Sequence, residues 1–224
     1  MMIKELKISL PFYKTAYAAA FIVILSLVRG ISYSNEIGIA LEPAMAILAA
    51  VFCADTYTAE IVSKRSEVWR LYPIQRRICA VGRRLAIQEF FLLFLSAAGY
   101  GMFFLFQRPR LLSGMNLKAV HEGMQFIVYL AAAAVSVGFW GILSNTLACV
   151  FRSAWFGIGG SLIFWILTNS ASGERYLGRW NVFSYTFREM DHGHDTGWLA
   201  GKSVCIVLSV VMLAVLPHIL KKRG

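Results

Sequence analysis

Six apolar runs separated by charged or turn-forming residues constrain this chain more than any other feature. They cover residues 15–28, 37–60, 85–106, 126–150, 155–167 and 203–218. A hydrocarbon core of ~30 Å needs about 20 helical residues to cross, so runs of this length and spacing predict a polytopic α-helical membrane protein. Composition agrees: 58% of the 224 residues are hydrophobic and 15% are charged, and the mean hydropathy is +0.62, outside the range of soluble domains. The fold class expected is therefore all-α integral membrane, a single transmembrane domain over residues 1–224 with six spans.

The ends of the runs carry the remaining information. Residues 1–11 place Ile3, Leu6, Ile8 and Leu10 among Lys4, Glu5 and Lys7 and then meet Pro11, the pattern of a short amphipathic helix lying at the membrane interface. Basic residues precede the first run as in a signal peptide, but no small-residue cleavage site stands before Arg29, so the run is read as a span. Residues 168–201 are polar and aromatic, with Tyr176, Trp180, Phe183, Tyr185 and Trp198. They predict short external helices before the last span, at a membrane surface.

The net charge of +10 is spread over the ends of apolar runs, with no soluble domain to display it. Lipid head groups and insertion orientation account for it, and a nucleic-acid partner does not. Fourteen of the 22 basic residues fall on one side of the expected topology: Lys4, Lys7, Lys14, seven between positions 60 and 84, Arg152, Lys221, Lys222 and Arg223. Arg29, Arg108, Arg110, Lys118, Arg175, Arg179, Arg188 and Lys202 fall on the other. The positive-inside bias then puts both termini and the 60–84 segment in the cytoplasm of a multi-pass cell-membrane protein.

Segment 60–84 is the most distinctive stretch. It interleaves Lys64, Arg65, Arg70, Arg76, Arg77, Arg83 and Arg84 with Ile61, Val68, Trp69, Leu71, Tyr72, Ile74 and Ile78, and Pro73 breaks it in the middle. Aromatic and arginine side chains around Glu67 to Pro73 have the makeup of an interface anchor. Two readings stand: a helix docked in a partner protein, or a basic loop on anionic lipid with Trp69 and Tyr72 as interfacial anchors.

Within and between the spans, small residues recur at helical spacing: Ala97 and Gly101, Ala134, Gly138 and Gly141, Gly157, Gly160 and Ser161. They predict close helix–helix approach in lipid. Asp55, about five residues inside the second span, is either paired or pathway-lining, or snorkels to the interface. Asp55 and the polar Asn145 are the candidate lining positions of a substrate pathway. Glu89, near the same depth on the third span, is read as a structural residue within reach of pairing with Arg83 or Arg84. The four cysteines, Cys53, Cys79, Cys149 and Cys205, are read as free thiols.

Several chemistries are set aside. Gly197-x3-Gly201-Lys202-Ser203 is one residue short of a phosphate-binding loop and follows no strand signal, so the chain has no ATP site of its own. Ser161 and His218 resemble an intramembrane protease dyad, but one lies mid-span and the other at a span end, more than ~10 Å apart along the membrane normal. No catalytic residue is proposed. Asp191-His192-Gly193-His194-Asp195 offers four metal-binding side chains, yet a solvated external turn is the simpler account and no metal site is assigned.

The stretch Glu60-x6-Glu67-Val-Trp-Arg-Leu-Tyr-Pro73-Ile-Gln-Arg76-Arg77, followed by Val81-Gly82-Arg83, resembles the membrane (permease) subunits of ABC-2 type transporters. In that family the corresponding loop reads like E-R-E-x-G-T-L-E-L-L-L-x-L-P-x-S-R. Glu60, Glu67, Pro73, Ile74 and Arg76 fit the register, and Lys64, Arg65 and Gln75 depart from it. The amphipathic entry helix, six spans and the insertion around Asn181 to Tyr185 also resemble the family. The resemblance implies an exporter of a peptide, lipid or drug. It also implies a second permease subunit, identical or related, and a separate cytoplasmic ABC ATPase holding ATP and Mg, contacted through Glu67, Val68, Trp69, Arg70, Leu71, Tyr72 and Pro73. An ATPase-independent channel or secondary carrier is the alternative, with an intramembrane serine protease a distant third.

Overall fold

The computed structural model describes residues 2–34, 36–62, 72–109, 118–183 and 197–223. Among these residues the regular structure is helical, with no strand. The order is α1 (Met2–Ser9), α2 (Phe12–Val28), α3 (Glu36–Cys53), α4 (Asp55–Val62), α5 (Ile74–Gln107), α6 (Lys118–Phe151), α7 (Ala154–Asn169), α8 (Ala171–Leu177), a 3-10 turn (Gly178–Trp180) and α9 (Gly197–Arg223). Four stretches are long and apolar enough to cross a membrane: Glu36–Ala59, Ile74–Gln107, Gly123–Phe151 and Trp198–Lys221. Two apolar helices are shorter, Phe12–Val28 and Ala154–Asn169.

Local sequence explains the boundaries. Pro11 separates α1 from α2, because proline begins a helix well and cannot continue one. Pro73 caps the start of α5. The basic stretch from Ile74 to Arg84 is thus helix continuous with the third apolar run, where hydropathy alone placed the start of the span at residue 85. Nothing between Ile74 and Leu85 breaks a helix except the single Gly82, which an α-helix tolerates. At 1.5 Å per residue α5 is ~50 Å long, so its arginine-bearing first turns overhang a ~30 Å core.

Long-range bonds fix the helix directions. Ser136 to Glu42 and Ser144 to the Ala50 carbonyl share an offset of 94 residues, so α3 and α6 run parallel. At one end of the bundle, Glu5 of α1 bridges Arg83 and Arg84 of α5, and Arg77 donates to the Leu220 carbonyl of α9. Both terminal helices therefore reach the same end as the start of α5. At the far end, Gln107 ties the tail of α5 to that of α2, donating to the Ser26 and Arg29 carbonyls and accepting from the Ile31 amide.

Small residues set how closely α6 and α7 approach. Arg152 turns the chain with a φ of 56°, and α7 folds straight back on α6. A Cβ on Gly157 would stand 2.6 Å from the Ser144 carbonyl oxygen, and one on Gly160 would meet the Leu147 side chain at 2.9 Å. Gly141 lies against Cys53 of α3 in the same manner. Gly101 has open space around it, so its small size serves no contact among the described residues.

Candidate functional site: ionisable groups inside the bundle

Three of the carboxyl groups on the apolar helices, Glu42, Asp55 and Glu89, meet different surroundings. Glu42, beside the in-helix Pro43 of α3, is buried and forms an ion pair with Lys202 of α9. Ser136 of α6 completes the cluster: its hydroxyl donates to Glu42 Oε1 at 2.6 Å and accepts from Lys202 Nζ at 2.8 Å. Lys202 also reaches the Val182 carbonyl at 3.5 Å. Residues 181–183 lie directly over this cluster, with Phe183 stacked on Trp140 at 5.3 Å between centroids. Asn181 fastens that segment by donating to the Thr168 carbonyl and accepting from the Phe183 amide.

Asp55 is the first residue of α4 and pairs with Lys14 of α2. The ammonium also donates to the Phe52 carbonyl at 2.9 Å and lies 5.1 Å from the Phe52 ring centroid. Of the alternatives open to Asp55 from sequence, the structure shows the paired one, with a third of its side chain still exposed. In the same layer the Thr56 hydroxyl donates to Gln88, whose amide donates to the Ser9 carbonyl.

Glu89 corrects an expectation. Arg83 and Arg84 pair with Glu5 of α1 instead, because the helical continuation of α5 swings both guanidinium groups toward the terminal end. Glu89 Oε1 is buried with no hydrogen-bond partner. It faces α6, where a Cβ on Gly141 would lie 3.6 Å from Oε1 and one on Gly138 would lie 4.0 Å from Oε2. Asn145, the other pathway candidate, is fully buried, and neither side-chain polar atom has a partner.

Glu5 lies outside the spanning helices. Burial alone would raise its pKa, but Arg84 and then Arg83 outweigh that and hold it below the ordinary carboxylate value.

The remaining sequence candidates divide simply. Glu67, Val68, Trp69, Arg70 and Leu71 lie outside the described residues, as do Asp191, His192, His194 and Asp195. Tyr72 and Pro73 are exposed at the start of α5. The Ser161 hydroxyl is buried without a partner, hence without a bond to His218. Ser161 lines a cavity of about 80 Å³ between α3, α6 and α7, with Ala46, Ala50, Trp140, Leu162 and Trp165. Asn145 is not among its lining residues.

Sequence reasoning missed the Glu42–Lys202 pair, having counted Lys202 only as a charge at a span end. One signal was available: opposite charges at similar depth in spans two and six, each measured from the same membrane face. Lys14 and Asp55 carry the same signal at the other end.

This is a helical bundle of membrane-compatible length and composition, with charged groups paired across its interior. No family model, curated protein or solved structure matches the chain.

Proposed function

We propose that the chain is the permease subunit of an ABC-2 type transporter. It crosses the cell membrane six times with both termini in the cytoplasm. It moves a cargo such as a peptide, lipid or drug outward, between itself and a second permease subunit. A separate ABC ATPase, carrying ATP and Mg, supplies the work. The observation that carries this reading is the convergence at the root of segment 60–84. Glu5 joins α1 to Arg83 and Arg84, and Arg77 joins α9 to the first turns of α5. A push on that segment is thereby delivered to the entry helix, α5 and the last helix together. Coupling needs such an element, because a nucleotide-driven partner shifts an equilibrium only through contacts that differ between two states.

Cys79 is exposed on α5, whereas Cys53, Cys149 and Cys205 are buried. In intact cells a membrane-impermeant thiol reagent should leave Cys79 unlabelled until the membrane is opened; labelling from outside would reverse the topology and end the proposal. In mild detergent the tagged chain should retain a co-expressed ATPase from its gene neighbourhood. Reversing the charges of Glu67 and Arg70 together with Trp69→Ala should release it.

One observation favours a second reading, an ATPase-independent secondary carrier: Glu89 is a carboxyl inside the bundle whose buried Oε1 has no hydrogen-bond partner, cationic or otherwise, among the described residues. Cargo movement that persists without any co-purifying ATPase would select it.

A further inference from the structure

Glu42 and Asp55 each face a lysine, and Glu89 faces none among the described residues. The basic side chains nearest in sequence on its own helix, Arg83 and Arg84, are turned to Glu5, and Arg77 donates to Leu220. From α3 the Cys53 thiol faces the same notch, against the site of a Gly141 Cβ at 3.0 Å. From α6 come Gly138, Gly141 and, four residues further along that face, Asn145, none of them charged. From α2 and α4 the layer receives Lys14 and Asp55, which neutralise one another.

Glu89 is half-buried, with Oε1 fully enclosed; a carboxylate oxygen withdrawn from water without a counter-charge is disfavoured, and such a group inside a membrane takes up a proton instead. Asn145, one turn further along the α6 face, makes no hydrogen bond to Glu89 as placed, but its amide has the chemistry to serve either protonation state after a change of rotamer. Its Oδ1 accepts from a carboxylic acid and its Nδ2 donates to a carboxylate, and both atoms are buried and unclaimed. Two glycines opposite the carboxyl leave it room to change rotamer, since neither presents a side chain to it.

We propose that Glu89, seated against the Gly138–Gly141 notch with Asn145 one turn along the same face, is a reversible proton-binding site in the interior of the bundle. Binding forms one O–H bond on the carboxyl with a proton from water, and release returns it; nothing is oxidised or reduced. The site stands whether the chain works with an ATPase or alone.

The experiment is infrared spectroscopy of the full-length protein in lipid nanodiscs across a pH series, without nucleotide, cargo or partner. The wild type should show a protonated-carboxyl C=O band that persists at neutral pH and disappears in Glu89→Gln. Absence of the band at neutral pH, or its survival in Glu89→Gln, overturns the proposal. Glutamine is isosteric with the neutral acid, so Glu89→Gln should also unfold at the wild-type temperature; marked destabilisation would mean that the native group is a paired carboxylate, and would overturn it too. Asn145→Leu should move the titration midpoint of the band by about one pH unit, and an unmoved midpoint overturns the part assigned to Asn145. Because these spectra require no transport, their failure leaves the transporter reading intact, and failure of that reading leaves them intact.

Discussion

Glu42 and Glu89 are both carboxyls on long apolar helices, and both lie against α6. Around Glu42 the chain supplies a lysine from α9 and a hydroxyl from α6, so the charge is balanced and three helices are clamped at one point. Around Glu89 it supplies two glycines and a thiol, with the unbonded amide of Asn145 one turn further along α6. The paired group resists change, because moving any of its members strands another in a medium of low dielectric. The unpaired group is free to change, because its charge is not committed to holding helices together. Clamping and chemistry are thus separated along the bundle.

The largest effect that sharpens this contrast belongs to Lys202. Lys202→Met leaves Glu42 buried and alone and should cost about 3–5 kcal/mol, read as a large drop in unfolding temperature in detergent. Adding Glu42→Gln should recover much of the loss; a single variant as stable as the double would break the distinction. Lys14→Met should cost less, about 1 kcal/mol, because Asp55 keeps a third of its side chain exposed and water takes over part of the lost pairing. Glu5→Gln should be the mildest, below about 1 kcal/mol, because the glutamine oxygen still accepts from a guanidinium group and Arg83 stays 40% exposed to water, and its signature is pH dependence. Arg84 and Arg83 hold the folded carboxyl below its ordinary value of 4.5. The attachment of α1 is therefore complete above about pH 4.5 and weakens as pH falls through the lower folded value. Hydrogen exchange in α1 should rise on acidification in the wild type and stay flat in Glu5→Gln.

Much of the helical layout was legible in the residues. Pro11 and the alternating charges before it gave the short entry helix, and Pro73 gave a break. The apolar runs gave helices at each expected place, two of them shorter than a full crossing. The glycines at 141, 157 and 160 gave close contacts, whereas Gly101 gave none. That the helix after Pro73 runs without a break into the third span was not legible, since hydropathy reads arginines as the end of a span although they are good helix formers.

What the sequence by itself determined is whatever depends on neighbours a few positions away: which stretches avoid water, where a helix starts, and which residues permit close approach. Only the tertiary structure decided the partners of the charges. Lys14 meets Asp55 across 41 positions, Arg83 and Arg84 meet Glu5 across 78 and 79, and Lys202 meets Glu42 across 160. Hydropathy and periodicity are local averages, while ion pairing depends on which helices lie side by side and at what offset. That same packing left Glu89 without a counter-charge among the described residues.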